Sequence, residues 1–311
     1  PHGCVNDNWW VETNTGQFFL RRRHAPLRKP RQIRAQHKLI EHLRNAGFPV
    51  AEVISTRYNH TFVELESHIY ELHGYINGEL CDVERPMHWA LAAHTLAWYH
   101  QAVAEFDHPA LHRSRQRYGP KTLAGIFERI MKNWGHQVDH RLNALLSELA
   151  AHTKDLMVQF SSFGALPKLI IHGDYHAGNL ILRGDKVVGV VDFDHAHRCF
   201  RAMELAEALI FFATERSKRF RHTVYSGVLN LKAVQRFINI YSATIRLTNA
   251  EIQALPHLIR TVWLCAALDP PLQPLLSIDR ATQALPEVLF LADWARSHAD
   301  DIVGIGMVAH A

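Results

Sequence analysis

The residues that could do chemistry are concentrated between Ile170 and His197, in the stretch IIHGDYHAGNLILRGDKVVGVVDFDHAH. This stretch holds four aspartates, four histidines and one asparagine between short apolar runs. Carboxylate and amide oxygens are the ligands that Mg²⁺ takes in proteins, usually one or two of them beside the phosphates of a substrate. The stretch therefore predicts a site for a divalent cation and a phosphorylated ligand.

The elements around these residues explain how they could meet. KLIIHGD is typical of a short buried strand that ends in a loop, and NLILRGDKVVGVVDFD is typical of two strands joined by a turn at Arg183-Gly184-Asp185. An antiparallel hairpin would bring Asn179 and Asp192 to the same end. Asp174 precedes Asn179 on the loop that enters that end, and Asp194 follows Asp192 closely.

Two other interpretations of this stretch stay open at this point. Asp and Asn also fill turns and cap strands for structural reasons alone, although the pattern D-x4-N, apolar hairpin, D-x-D is more demanding than a turn. A metallophosphoesterase would use GD and GN turns with histidines, and both turns occur here. They stand in one short loop, however, whereas a dinuclear centre draws its ligands from separate strand ends.

The motif HGDYHAGN … VVDFD resembles the Brenner motif and the metal-binding Asp of the aminoglycoside phosphotransferase and choline kinase group. The resemblance covers most of the chain and implies a protein-kinase-like fold, with ATP as phosphate donor and a hydroxyl group of a small molecule as acceptor. It implies that Asp174 is the catalytic base and that Asn179 and Asp192 are the Mg²⁺ ligands. Phosphoryl transfer needs mainly this kind of positioning and charge neutralisation.

The resemblance also suggests supporting residues. His172 and His176 stand where family members often carry histidine, and either could support the loop. Asp194 is expected to help hold a metal or a helix. Glu204, in RAMELAEAL, stands where the family often has Asp and is expected to brace the catalytic loop.

The nucleotide end departs from the family pattern. No G-x4-G-K-[ST] motif occurs, but GCVNDNWWVET could form the phosphate-covering turn of a kinase-like lobe. Its Asn6 and Asn8 resemble the N-x-N turn of bacterial homoserine kinases of this superfamily, which implies that they help to bind the nucleotide. Arg21 stands where a phosphate-binding lysine is expected, and Gln36 stands where a glutamate should pair with it. Gln36 could hydrogen-bond Arg21 but could not neutralise it. A pseudokinase of the same fold, which holds nucleotide without transfer, therefore remains an alternative.

The hydrophobic patterns predict an α+β, two-lobed fold. Residues 1–75 would form a small β-rich nucleotide-binding lobe, and residues 76–311 a large, mostly helical catalytic and acceptor-binding lobe. Within the first, the patterns favour a hairpin in WWVETNTGQFFLRR, a helix in RQIRAQHKLIEHLRNAG, and strands in VAEVIST and HTFVELESHIYELHGY. The segment YELHGYI would join the lobes and could bind adenine. The chain begins at Pro1 rather than Met, which leaves open a removed segment and a missing first strand.

Composition limits the partners and the compartment. A net charge of +4 over 311 residues, with scattered basic residues, argues against a nucleic-acid binder. No apolar run approaches the ~20 residues of a membrane span. Four distant cysteines without a CxxC pair fit a reducing compartment, so we expect a cytoplasmic protein.

Acceptor specificity is expected to come from the helical lobe. Aromatic and acidic residues there would favour a cationic amine, and the candidates are Trp134, Trp263, Asp269 and Trp294, each of which could instead belong to the core or the surface. The chain has no dense acidic patch of the kind a polycationic aminoglycoside would favour. The lack of such a patch slightly favours an amino alcohol or a hydroxy amino acid such as homoserine as the acceptor. An aminoglycoside or another sugar is the alternative acceptor.

Overall fold

The computed structural model describes residues 6–112, 117–134, 139–221, 227–268 and 277–310. A small β-rich N-terminal region precedes a mostly helical remainder, which confirms the predicted α+β class. The strands are β1 (Asp7–Thr13), β2 (Gly16–Arg22), β3 (Val63–Leu65), β4 (His68–Gly74), β5 (Glu79–Leu80), β6 (Lys168–Ile171), β7 (Leu180–Arg183), β8 (Lys186–Val190) and β9 (His197–Phe200). The α-helices are α1 (Pro30–Asn45), α2 (Pro86–Ala102), α3 (Pro120–Trp134), α4 (His140–Ser162), α5 (Arg201–Phe212), α6 (Leu231–Ser242), α7 (Asn249–Leu268), α8 (Ile278–Ser297) and α9 (Ala299–His310).

The chain divides into two compact units. The first comprises residues 1–113 and 169–198, and the second comprises residues 114–168 and 199–311. The first unit contains a four-stranded sheet in the order β1-β2-β4-β3 and a three-stranded sheet in the order β5-β7-β8. It therefore holds both the N-terminal strands and the motif-bearing hairpin. The predicted division into lobes at residues 75 and 76 is drawn on other residues and stays a prediction.

The N-terminal hairpin and the first helix form as their patterns predict. β1 pairs antiparallel with β2, from Asp7 opposite Arg22 to Thr13 opposite Gly16. Helix α1 begins at Pro30, a residue preorganised for the first helical position. Its apolar side chains at near-helical spacing are buried, and Gly47, with a φ of +76°, follows its end in the left-handed conformation that closes many helices.

The predicted strand in VAEVIST is wrong. Val50 and Val53 make only isolated bridges, to Val190 and His73. The reason lies in β4, which already pairs with β2 along one edge and with β3 along part of the other. Only a short length of edge is left, so the segment joins it at one position and continues as a loop.

The second unit is built around α7. This helix packs against α3, α4, α5, α8 and α9. A buried ion pair between Arg201 and Glu251, with 2.6 Å between Nη2 and Oε2, joins α5 to α7. Within the described ranges, no helix has the length and apolar character needed to cross a membrane.

The cysteines of the described residues are free thiols. Cys81, Cys199 and Cys265 are all buried, and Cys4 lies outside the described residues. Burial raises the pKa of the Cys81 thiol to about 11, with Asp82 adding to the effect, and that of Cys199 to about 12. The thiols of Cys81 and Cys199 are therefore protonated at neutral pH, and a protonated thiol is not nucleophilic.

Candidate active site

The turn between β6 and β7 positions Asp174 and Asn179. Gly173 precedes Asp174 with a φ of +78°, a conformation that glycine adopts without strain. The Nδ2 of Asn179 donates to the backbone carbonyl of Asp174 at 2.9 Å and lies 3.5 Å from its carboxylate Oδ2. Because the amide nitrogen is directed at Asp174, the amide oxygen is the atom that Asn179 could offer to a cation.

The hairpin β7–β8 brings Asp192 to the same end as Asn179. Leu180 pairs with Val190, and the N–H of Val191 donates to the carbonyl of Asn179 at 3.0 Å. Asp192 itself has φ 68° and ψ 60°, in the left-handed region that a non-glycine residue rarely adopts. Such strained residues cluster at functional sites, where the surrounding structure holds them in place.

Two arginines of one strand face these carboxylates. Residues two apart on a strand share a face, and Arg21 and Arg23 lie on the same side of β2 and its continuation. The Nη1 of Arg21 is 3.2 Å from Oδ1 of Asp192 and 3.2 Å from Oδ1 of Asp194. The Nη1 of Arg23 is 2.5 Å from Oδ1 of Asp194. Arg23 also pairs with the buried carboxylate of Glu71 on β4.

The protonation states follow from these ion pairs. Burial by itself would lower the pKa of Arg21, but Asp192 and Asp194 outweigh it and the pKa is raised. Burial would raise the pKa of Asp194, but Arg23 and Arg21 outweigh it and hold that pKa below its usual range. For Glu71, burial would raise the pKa, but Arg23 together with hydrogen bonds from His37 and His73 outweighs it, so the pKa lies well below its usual value. The guanidinium of Arg21 and the carboxylates of Asp194 and Glu71 are therefore ionised at neutral pH.

A cavity of about 210 Å³ lies against this cluster. One part of its lining is charged or polar and includes Arg21, Asn179 and Asp192. The other part is apolar and is formed by Phe19, Ile40, Val50, Ala51, Ile76, Ile181 and Val190. Gly74, Tyr75 and Ile76, from the segment predicted to bind adenine, also line it. Asp174 contacts Asn179, which is one of the lining residues.

The donor set suits a magnesium ion. An amide oxygen of Asn179 and a carboxylate of Asp192 are hard oxygen donors at the edge of one cavity, and Mg²⁺ takes one or two protein donors of this kind beside substrate phosphates. The Asp192 carboxylate already pairs with the guanidinium of Arg21 and is 33% exposed, so it is accessible to a cation. On these observations the residues present fit the ion that the family resemblance implies.

The side chains of Asn6 and Asn8 form hydrogen bonds with the charged residues Asp194 and Arg21. The Nδ2 of Asn6 donates to Oδ2 of Asp194 at 2.6 Å, and the Oδ1 of Asn6 accepts from the N–H of His24. The Oδ1 of Asn8 accepts from Nε of Arg21 at 3.3 Å. The first part of the expected phosphate-covering turn lies outside the described residues, so contact of Asn6 and Asn8 with phosphate stays a prediction.

The contact expected between Gln36 and Arg21 is not formed. Gln36 is buried in α1, and its Nε2 donates to the backbone carbonyl of Asp194 at 2.9 Å. Among the described residues its Oε1 has no hydrogen-bond partner. Gln36 therefore holds the loop that carries Asp194, because the amide reaches that backbone instead of the guanidinium.

His172 and His176 support the two loops. Nε2 of His172 lies 2.9 Å from the carbonyl of Val191, and its ring packs 4.6 Å from that of Phe193. Nε2 of His176 lies 3.5 Å from Oδ2 of Asp174 and 3.3 Å from Nδ2 of Asn179. One histidine thus contacts the backbone before Asp192, and the other contacts the proposed base.

Glu204 and the three candidate tryptophans belong to the second unit. Glu204 is fully buried in α5, and its bracing role stays a prediction. Trp134 and Trp263 are buried, and the Trp263 ring packs edge-on against that of Trp294 at 6.2 Å. All three tryptophans therefore contribute to packing in this unit. Asp269 lies outside the described residues.

Sequence reasoning missed Arg23 and Glu71. The alternation of β2 already places Arg23 on the face of Arg21, and that signal was available. Glu71 could be found only by pairing β4 with β2, which puts Glu71 opposite Arg21. The pairing joins residues 50 positions apart in the sequence, and no local pattern specifies it.

Known proteins resemble this chain over most of its length. The profile of the Phosphotransferase enzyme family (APH) matches residues 1–235. Among curated proteins, the chain is 25% identical over 267 residues to a homoserine kinase of Methylobacillus glycogenes, covering 84% of this chain and 75% of the relative. It is also 25% identical over 271 residues to a homoserine kinase of Methylobacillus flagellatus, covering 84% and 76%.

Two solved structures show the same fold. An amicoumacin kinase in complex with AMP-PNP and Ca²⁺ superposes with a TM-score of 0.69 at 13% identity, covering 94% of this chain and 87% of the other. A microcompartment-associated aminopropanol kinase superposes with a TM-score of 0.64 at 16% identity, covering 96% and 91%. The motif residues, the kinase-like fold and the family match together show that this chain belongs to the APH phosphotransferase enzyme family and is a small-molecule kinase acting on a hydroxyl acceptor.

Proposed function

We propose that the protein is an ATP- and Mg²⁺-dependent kinase that transfers the γ-phosphate of ATP to the hydroxyl of a small amino alcohol or hydroxy amino acid, with homoserine as the first acceptor to test. The observation that carries the proposal is the convergence of Asn179, Asp192 and Arg21 on one cavity, beside Asp174. The curated relatives described above are named homoserine kinases, and this supports the choice of acceptor.

Asp174 is the proposed base. Its carboxylate is partly exposed, and Asn179 and His176 both approach Oδ2 at 3.5 Å. These two contacts orient the carboxylate, so that it can accept the proton of an acceptor hydroxyl. The hydroxyl oxygen then forms a bond to the γ-phosphorus, and the bond from that phosphorus to the β–γ bridging oxygen breaks, leaving ADP.

Arg21 and the metal ligands act on the donor. Arg21 brings a permanent positive charge to the lining of the cavity, where it can contact the phosphates. Asn179 and Asp192 would hold Mg²⁺, which when bound neutralises phosphate charge during transfer. The apolar residues of the lining, which include Ile76 of the segment predicted to bind adenine, suit an adenine ring.

The test is acceptor-dependent formation of ADP. The protein is incubated with Mg-ATP and a panel of homoserine, amino alcohols, sugars and aminoglycosides. We expect ADP with homoserine or an amino alcohol, and loss of that activity in Asp174→Ala. Asp185→Ala, at an exposed position in the β7–β8 turn, is the matched control and should keep the activity.

Other outcomes would redirect the proposal. Turnover only with a sugar or an aminoglycoside would favour those acceptors. Mg-ATP binding without turnover on the whole panel would favour the pseudokinase. The metallophosphoesterase alternative is wrong, because the chain belongs to a phosphotransferase family.

A further inference from the structure

Helix α1 offers Arg21 no buried carboxylate. Its one acidic residue, Glu41, is exposed. At the position where the sequence suggests a glutamate partner, Gln36 instead contacts the backbone of Asp194. The counter-charge for Arg21 must therefore come from another part of the unit.

Asp194 is placed to provide that charge. Its side chain is 3% exposed, and its Oδ1 contacts both Arg21, at 3.2 Å, and Arg23, at 2.5 Å. Its Oδ2 accepts a hydrogen bond from Asn6 at 2.6 Å. The backbone carbonyl of the same residue accepts from Gln36. The carboxylate is thus held by three side chains and its loop by a fourth.

The two carboxylates that share Arg21 differ in exposure. The Asp192 side chain is 33% exposed and lines the cavity, whereas that of Asp194 is 3% exposed. A contact at the open position can exchange with a bound cation. A buried, charge-assisted contact is expected to persist.

We propose that Asp194 is the residue that positions Arg21 for the nucleotide phosphates, in place of the carboxylate that α1 lacks. This inference rests on the proposed function. With Asp194 in place, Arg21 keeps an anionic partner while Asp192 turns to a metal ion. Without it, Asp192 is the nearest anionic partner left to Arg21, and the arginine competes with the metal for it.

The experiment distinguishes an effect on binding of the nucleotide phosphates from an effect on binding of the nucleoside. Dissociation constants are measured by calorimetry for the non-hydrolysable analogue Mg-AMP-PNP and for adenosine, which has no phosphates. For Asp194→Asn we expect Mg-AMP-PNP to bind about tenfold more weakly, the size expected for loss of one charge-assisted contact, and adenosine to bind unchanged. Asp185→Asn is the matched control and should change neither constant.

A second variant guards against a failure to fold. Asn6→Asp combined with Asp194→Asn keeps the charge of the cluster and the hydrogen bond between the two positions, with its donor and acceptor exchanged. The carboxylate then stands at position 6, which is hydrogen-bonded to Oδ2 of Asp194 in the wild type. Arg21 contacts the other oxygen, Oδ1, so it loses its charged partner at position 194. We expect this variant to show a thermal midpoint near that of the wild type and the same weakened Mg-AMP-PNP binding.

Four results would overturn the inference. One is unchanged Mg-AMP-PNP binding in Asp194→Asn, and a second is equal weakening of adenosine binding in that variant. Another is wild-type affinity in the double variant, because the charge of the cluster rather than the contact would then matter. A folded wild-type protein that binds no Mg-AMP-PNP would overturn the proposed function itself, and this inference with it.

Discussion

Nη1 of Arg21 lies 3.2 Å from Oδ1 of Asp192, so the predicted phosphate-binding cation and a predicted metal ligand contact each other directly. The two residues are 171 positions apart in the sequence. Because Asp192 cannot give the same oxygen fully to Arg21 and to a metal ion, metal binding and the position of Arg21 are expected to depend on each other.

The first prediction concerns Asp192. Asp192→Asn removes a charged metal ligand, so we expect kcat to fall at least ~100-fold and the Mg²⁺ concentration for half-maximal activity to rise. A magnesium titration of the steady-state rate measures both. Asp185→Asn should leave the titration unchanged, and a wild-type magnesium dependence in Asp192→Asn would remove Asp192 from the ligand set.

The second prediction concerns Gly173. A Cβ at Gly173 would meet the carbonyl oxygen of His195 at 2.4 Å, in a residue with φ +78°. We expect Gly173→Ala to lower the free energy of unfolding by about 3 kcal/mol and to displace the loop that carries Asp174. Gly184→Ala is the matched control, since Gly184 has φ +60° but open space around its Cβ position. It should cost about 1 kcal/mol. Equal costs in thermal or urea unfolding would contradict the role of the close approach.

The third prediction concerns Glu71. Glu71→Gln leaves the buried guanidinium of Arg23 without one of its two carboxylate partners, so we expect a loss of about 3 kcal/mol in the free energy of unfolding. Glu64→Gln, on the neighbouring strand and exposed, should change it by less than about 0.5 kcal/mol. Equal unfolding curves for the two variants would show that the buried pair contributes nothing net to stability.

The lowered pKa of Glu71 also predicts that the free energy of unfolding depends on pH. Its pKa is lowered well below 4.5, because Arg23 and the hydrogen bonds from His37 and His73 together outweigh the effect of burial. The unfolded chain therefore binds the proton first as pH falls, and stability is lost as pH drops below about 4.5. Unfolding curves from pH 5 downwards should fall less steeply in Glu71→Gln than in the wild type.

The lowered pKa of His152 predicts that the free energy of unfolding depends on pH at higher pH values as well. Burial, with Arg260 adding to it, lowers the pKa of His152 from 6.5 to about 4. Between those values the unfolded state binds more protons than the folded state, so stability rises with pH from about 4 to 6.5. We expect roughly 2–3 kcal/mol over that range.

The matched variants for this range lie on one helix. His152→Gln should flatten the dependence between pH 4 and 6.5, whereas His140→Gln, exposed at the start of α4, should leave it intact. A wild-type slope in His152→Gln would show that another group is responsible.

Local patterns predicted the elements well wherever the partner of a segment is its neighbour in the chain. The β1–β2 and β7–β8 hairpins and helix α1 formed as predicted, because turn residues and apolar spacing act within a few positions. The strand expected in VAEVIST failed for the opposite reason. Its possible partner β4 was already paired, and that fact is not written in the segment.

The sequence by itself determined which residues could do chemistry and where the hairpin that carries Asn179 and Asp192 turns, since residue type and strand periodicity are local properties. Only the tertiary structure decided the ion pairing of the site. Gln36 contacts the backbone of Asp194 rather than Arg21, and Asp194 supplies the carboxylate expected from α1. Such pairings depend on which buried charges packing brings within a few ångströms, and burial makes it costly to leave any of those charges without a partner.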